Sequence, residues 1–554
     1  MKLNRATRLV LLLAPSLFTV ASGHAGSATW SLNPSSSDWN TETNWTPESV
    51  PNGPEDTATF DVSNQAVVRF TTGISVAAIV FNPGVGSYSI TTRYNLDFFG
   101  NGIVNESSVT QNFRAGDVAG SFNFHNNATA GNVHFFTSVG GVVFYDTASA
   151  ANATIDNLQG IVPGITFFHN SSTAGNAMIL NHAGSPNGGG TLFMDTSTAG
   201  TATFISEGAG SGNSGVQFRD NSSADHGTFT AEGGGIQEAG NLVTFSDSAT
   251  AANAAITANG GAHFKAPGGL IIFYGRATAA NATLTANSGT NRGGPAIISF
   301  SDRSRGGTAR VVLHGGLLDL SFEAAPGLSL GSIEGAGYVS LGPNNLTVGK
   351  NGLNTVFSGT IKDDPSSGGS LTKEGLGALV LSGASTFTGG TIVVEGTLSV
   401  RNKIGSATGT GGVSIPAGHL AGDGIIAGAV VVGTGTISPG PNLIAPGTLT
   451  LQSGVTLNSG STYQFNLQSD NGTAASLSSS GVIIDGSAMF IANDSGNTAL
   501  APGVSLVVIQ NTSAAPISGV FSNLPDGGTI TIGNNTFLAS YEGGDGNDLT
   551  LTVQ

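Results

Sequence analysis

A phenylalanine-anchored pattern recurs eight times between Phe124 and Phe300, and it limits the fold more than any other feature of the chain. It reads roughly F-x-D/N-x-A/S-T/S-A-G/A-N/T-A-x-I/F, with copies such as FHNSSTAGNAMI from Phe168 and FSDSATAANAAI from Phe245. The anchors are Phe124, Phe144, Phe168, Phe193, Phe218, Phe245, Phe273 and Phe300, at spacings of 20, 24, 25, 25, 27, 28 and 27 residues. Self-similarity at such a period is the mark of a solenoid or array, in which each unit buries its apolar face only against its neighbours.

Each unit holds two short runs of apolar alternation, joined by small residues and closed by Gly-rich segments such as SPNGGG. Period-two alternation with Gly, Asn and Ser punctuation is a strand signal. Helices are disfavoured. Glycine makes up 84 of 554 residues and charged residues only 9%, whereas exposed helices need a charged face and lose about 1 kcal/mol per interior glycine. Disorder does not fit a chain that is 39% hydrophobic with 29 Phe. The fold class expected is all-β: a parallel β-helix or β-solenoid with a β-rich N-terminal cap and a β-rich C-terminal end.

Stacked coils place equivalent residues about 4.8 Å apart, so the anchor rings should pile into an inward column. Eleven residues on, Phe135, Ile155, Ile179, Phe204, Phe229, Ile256, Leu284 and Val311 make a second apolar column. Six residues on, Ala occupies seven copies and Gly306 the eighth, as expected where a corner admits only a small side chain. Eight residues on stand Asn132, Asn152, Asn176, Thr201, His226, Asn253, Asn281 and Thr308. This column suits either a side-chain hydrogen-bond ladder or simple turn propensity.

The chain opens with Lys2, Arg5 and Arg8, then an apolar run from Leu9 to Val20, then Gly23-His24-Ala25. That is the layout of a cleavable export signal. The expected organisation is a signal over 1–25, a β-rich cap over 26–115 containing all three Trp, and the Phe-anchored solenoid over 116–320. Further solenoid follows over 321–440, and a β-rich end region over 441–554. There is no Cys, so neither disulfides nor thiolate chemistry is available. The net charge of −16 argues against nucleic acid, whose binding needs a cationic surface, and against adhesion to anionic lipid. No stretch of the mature chain reaches the roughly 20 apolar residues of a membrane helix.

Residues 371–400 read LTKEGLGALVLSGASTFTGGTIVVEGTLSV. The elements LTKEGLGALVLSG, STFTGGT and VEGTLSV resemble the autotransporter-associated β-strand repeat of bacterial surface proteins. The flanks DWNTETNW, VPNGPEDTATF and TFLASYEGGDGNDLTLTV are similar in style to the same family. The resemblance implies a secreted, extended β-helix displayed as a passenger at the cell surface. It carries no shared catalytic residues. The segment SYEGGDGNDLTLTV is not followed by the many amphipathic strands of a translocating barrel, so self-translocation is not expected from this sequence.

Several patterns could carry chemistry. Two residues after each anchor stand Asn126, Asp146, Asn170, Asp195, Asp220, Asp247, Gly275 and Asp302. Asp195, Asp220 and Asp247, on three successive coils, are candidates for a calcium row. The alternative, favoured because Asn shares the column, is a set of turn residues whose carboxylates accept backbone N–H bonds. Arg276 and Arg303 share the next column beside Asp247 and Asp302. An acid–arginine cluster of that kind could bind an acidic sugar and abstract a proton, as in a polysaccharide lyase or glycoside hydrolase built on a β-helix. Surface salt bridging between coils explains the same residues. GGDGNDLTL at 543–551 nearly fits a calcium nonapeptide but occurs once, where stacked copies are needed, so a hairpin is expected. GLSLG at 327–331 lacks the helix that a nucleophile elbow requires. Gly422, Gly424 and Ala427 fail as a dinucleotide fingerprint for the same reason. The nine His show no zinc-ligand spacing.

The function expected is that of an exported surface or extracellular module, structural or adhesive, without catalysis or cofactor. Its expected partners are surface glycans or proteins, with self-association through the solenoid ends as a further route. Periplasmic residence is the alternative location, and a carbohydrate-active enzyme on the same scaffold is the alternative function.

Overall fold

The computed structural model describes residues 26–554 except 117–119, 185–186, 209–214, 236–239 and 365. The export signal expected over 1–25 lies outside the described residues. The fold is a β-solenoid of about 18 turns. The sole helical element among the described residues is a 3-10 turn at Glu42–Asn44.

A representative coil begins with Gly141–Phe144, turns a corner, and runs back as Thr154–Asn157. Both strands alternate exposure with burial, so every second side chain enters the core. Neighbouring coils pair in parallel and in register: Phe144 lies beside Phe124 and Phe168, Phe193 beside Phe168 and Phe218, and Phe273 beside Phe245 and Phe300. The eight anchor rings stack with centroids 4.5–4.9 Å apart and planes within 15° of parallel. Phe98 extends the column by one more ring, 4.6 Å from Phe124. The second column faces the first, and Phe204 and Phe229 meet Phe193 and Phe218 edge to face at 5.7 and 5.6 Å. All of these rings are buried.

The corner has its own backbone logic. The residue two after each anchor is left-handed throughout, from φ 53° at Asp146 to φ 71° at Gly275. Among L-residues, Asn and Asp adopt this region most readily. A second left-handed position falls seven after the anchor, occupied by Gly131, Ala151, Gly175, Gly200, Asp225, Ala252, Ala280 and Gly307. Between them a single residue per coil, for example Thr198, Ser223, Thr250 and Thr278, bridges to the next coil in parallel. Its hydroxyl accepts the N–H of the left-handed residue two positions on, as Ser149 does for Ala151 and Thr278 for Ala280. Small hydroxylated residues therefore occupy seven of the eight copies of this column, Arg305 being the exception, because their oxygen fixes the bend.

The unequal period is absorbed in the Gly-rich segments that link one coil to the next, short at 138–140 and long at 259–269. Here glycine is needed for close approach. A side chain at Gly240 would strike the carbonyl of Gly268, and one at Gly268 the carbonyl of Pro295. The loops of successive coils thus lie backbone against backbone.

Both ends depart from parallel stacking. Ala28–Trp30 pairs in parallel with Thr57–Phe60 and antiparallel with Trp45–Thr46. Trp30, Trp39 and Trp45 pack around Phe60, and each indole N–H reaches a backbone carbonyl. At the other end Ser505–Asn511, Asp548–Val553, Asn535–Gly543 and Thr529–Ile532 form an antiparallel run. The GGDGNDLTL segment lies within the hairpin of that run, with Gly543 opposite Asp548.

Removing one central ring should leave a cavity that its stacked neighbours cannot close. Phe218→Ala is expected to cost about 3–5 kcal/mol, read by chemical denaturation. Gly307→Ala forces a side chain into a left-handed position against the Ala280 carbonyl and should cost roughly 1–2 kcal/mol. Ala280→Gly should be neutral or slightly stabilising.

Candidate ligand-presenting faces

The acidic column lies on the exposed corner, and one oxygen of each carboxylate is already engaged. Every Asp of the column, and Asn170, accepts the backbone N–H of the equivalent residue one coil earlier. Asp195 accepts from Asn170 at 2.8 Å, Asp220 from Asp195 at 3.1 Å, Asp247 from Asp220 at 3.3 Å and Asp302 from Gly275 at 3.1 Å. The left-handed bend turns that N–H along the solenoid axis, where the next coil's carboxylate meets it. Asp and Asn serve alike because both offer an oxygen at the same reach: Asn170 caps Asp146, and Asp146 caps Asn126. Turn propensity accounts for the residue types, and the link itself runs between coils.

Arg276 and Arg303 stand exposed one position further on, on adjacent coils beside Asp302. Among the described residues neither guanidinium forms an ion pair with Asp247 or Asp302. Asp247 takes a second bond from the Ser246 hydroxyl at 3.0 Å. The four residues therefore share an exposed edge on which the two carboxylates brace the backbone.

The column eight after the anchor is an exposed ladder. Asn176 donates to Asn152 and Asn281 to Asn253, each at 3.2 Å, while the hydroxyls of Thr201 and Thr308 donate to Asn176 and Asn281. On the next strand, His134 meets Asp156 at 2.8 Å, and His182 bridges Asp156 and Glu207 at 3.3 Å each. Burial works to raise the Asp156 carboxyl, but His134 and His182 together outweigh it and hold the group below its usual range. Phe99, His125, Tyr145 and His169 stack at 4.6–5.2 Å on the outer side of the anchor column.

Two polar features do not stand out from the sequence pattern. One is a buried ladder thirteen residues after the anchor, where Thr137, Asn157, Asn181 and Ser206 replace apolar residues. Asn157 donates to Asn181 at 2.8 Å, and Asn181 to Ser206 at 3.1 Å. Thr166 and Thr191 close it from the facing strand, donating to the Asn157 and Asn181 carbonyls. Its only sequence signal is Asn at the same register in successive copies. The other is Lys373, almost fully buried, whose ammonium donates to the carbonyls of Glu374 and Gly375 at 2.6 Å and of Glu395 at 3.2 Å. Burial pulls this amine down to about 8, against the opposing pull of Glu395 and Glu374. Lys373 therefore ties one coil to the next at the glycine bend that follows it.

Lys373 belongs to a segment that fills two consecutive coils, Ser370–Lys373 with Ala378–Leu381 and then Thr391–Val393 with Thr397–Val400. Residues 371–400 match the passenger-associated-transport-repeat family model. This pair of coils therefore carries one passenger-associated-transport repeat. Over 125 residues the chain is 38% identical to the adhesin BmaC autotransporter of Brucella suis biovar 1 (strain 1330), a stretch covering 21% of this chain and 4% of that protein. Among solved structures it is similar to the Haemophilus influenzae Hap adhesin, with a TM-score of 0.33 and 12% identity, over 90% of this chain and 64% of that one. The chain thus spans a small fraction of the BmaC adhesin and under two thirds of the Hap chain.

Replacing Lys373 with Met leaves three carbonyls without a donor and should lower stability by about 3 kcal/mol. Asp195→Asn should retain most of the inter-coil link, whereas Asp195→Ala should lose about 1–2 kcal/mol. A large loss in the Asn variant that calcium modulates would instead assign the column to a cation. The lowered Asp156 carboxyl adds stability that is present above the ordinary carboxylate range and lost as the pH falls through its folded value. The melting temperature of the natural chain should therefore fall more steeply in acid than that of Asp156→Asn.

Proposed function

We propose that the chain is an exported, surface-exposed adhesive rod that presents repeated side-chain columns to glycan or protein partners and carries out no catalysis. The observation that carries this reading is the unbroken parallel stack, in which the passenger-associated repeat is continuous with its neighbouring coils. A stiff solenoid advances about 4.8 Å per coil. About 18 turns therefore extend its faces over roughly 85 Å. Over the eight Phe-anchored coils, roughly 38 Å of that length, the exposed Asn, Thr and Ser of the corner recur at fixed spacing, which favours many weak contacts to a polymeric or repetitive partner over one tight pocket. The acids and arginines singled out for proton abstraction are exposed, and the carboxylates of Asp247 and Asp302 already accept backbone N–H groups. This supports a structural use of that column. The adhesin relative lends the surface setting.

Protease treatment of intact producing cells, followed by fractionation, tests the location. Surface cleavage of a processed chain is expected, and recovery of the whole chain from the cytoplasm alone would refute it. Beads coated with the purified chain should be retained on glycan- or protein-coated surfaces without new reducing ends or unsaturated sugars. Turnover of a polysaccharide that Arg276→Ala and Arg303→Ala abolish would overturn the non-catalytic reading.

A further inference from the structure

Between residues 26 and 218 the sequence holds only three Lys or Arg residues, Arg69, Arg93 and Arg114. All three line one cleft of about 600 Å³, shared with the hydroxyls of Thr71, Thr91 and Ser138 and the ring of Phe136. We propose that this cleft binds an acidic polysaccharide, with Arg69 and Arg114 holding its anionic groups and the hydroxyls meeting its sugar hydroxyls.

The register explains the convergence. Arg69 pairs with Thr91, Thr91 with Arg114 and Arg114 with Phe136, so the four form one outward column on consecutive coils. Arg69 and Arg114 are two coils apart, about 9.6 Å along the axis at the usual strand spacing, with the Thr91 hydroxyl between them. The Arg114 guanidinium lies over the Phe136 ring, 3.9 Å from its centroid. Stacking of this kind holds the planar donor fork in one orientation. Among the described residues Arg69 and Arg114 form no ion pair, although the chain carries 34 acidic residues against 18 basic ones. An unpaired, positioned guanidinium is matched best by a carboxylate or sulfate, which it meets with two parallel hydrogen bonds.

The spacing selects the ligand class. Duplex nucleic acid carries a charge every ~1.7 Å of axis and would meet the repulsion of a chain with net charge −16. A sugar polymer with one anionic group per residue or two presents charges sparsely and fills the intervals with hydroxyls. Lying along the axis, it would follow the arginine column. The biological setting of this inference rests on the adhesive reading; the chemistry of the cleft does not.

The test uses the full mature chain, titrated with polygalacturonate, heparin, neutral dextran and single-stranded DNA of matched length. Polygalacturonate or heparin is expected to bind, more weakly as salt rises, and dextran is not. Tighter binding of polygalacturonate assigns a carboxylate, and tighter binding of heparin assigns a sulfate where chemically desulfated heparin, which keeps its carboxylates, loses it. Arg69→Gln and Arg114→Gln should each weaken binding at least about tenfold without moving the melting temperature, and Arg303→Gln should leave it unchanged. Phe136→Leu should weaken binding less than Arg114→Gln does. Binding that ignores the Arg69 and Arg114 substitutions, no binding to either acidic polymer, or tighter arginine-dependent binding to DNA overturns the proposal. If cleft binding fails while coated beads are still retained, the cleft is refuted and the adhesive rod stands. If the cleft binds but the chain is recovered only from the cytoplasm, the surface rod is refuted and the cleft stands.

Discussion

The structure depends on parallel, in-register pairing between successive coils. At that spacing the backbone hydrogen bonds of one coil are completed by the next, and equivalent side chains are brought within contact distance. Every column then has to tolerate its own repetition. Flat rings do so well, since phenyl groups can lie plane on plane at 4.5–4.9 Å. Carboxylates do so poorly unless donors intervene, and the left-handed corner supplies one backbone N–H for each. Amides tolerate it because one group donates while the next accepts, both in the exposed ladder of Asn152 and Asn176 and in the buried one of Asn157 and Asn181. The residue types in each column follow from this single geometric demand.

Much of this is legible in the sequence because repetition amplifies weak signals. One Phe followed by small residues says little, whereas eight such copies at compatible spacing specify two inward columns and a tight corner. The resemblance at 371–400 places the coils of that segment in the same class. Less legible are the polar groups that act through the fold. Lys373 reads as an ordinary surface lysine until the carbonyl of Glu395, on the following coil, is brought to its ammonium. Asn157 and Asn181 read as loop residues, because the alternation that buries them is clear only once the register is known. The arginines of the cleft lie far apart in sequence and belong to no repeat, so only the winding of the chain collects them.

The same logic accounts for the ends. A parallel stack leaves its last backbone groups open, and an exposed edge invites further pairing. Here the chain changes direction at both ends. Trp45–Thr46 turns back on the first strand, where Trp30, Trp39 and Trp45 pack together, and the final four strands alternate in direction. An antiparallel strand cannot seed another coil of the same winding, so the parallel register stops at these strands.

The Gly-rich connections between coils vary in length while the paired strands and corners keep a common register, and the ladder is indifferent to the change. Gain, loss or lengthening of a linking segment therefore alters the outline of the rod without rewriting its spine. The molecule separates a constant frame from an editable rim, and a lineage could extend such a chain one winding at a time, or decorate a single flank, while every remaining ring kept its neighbour.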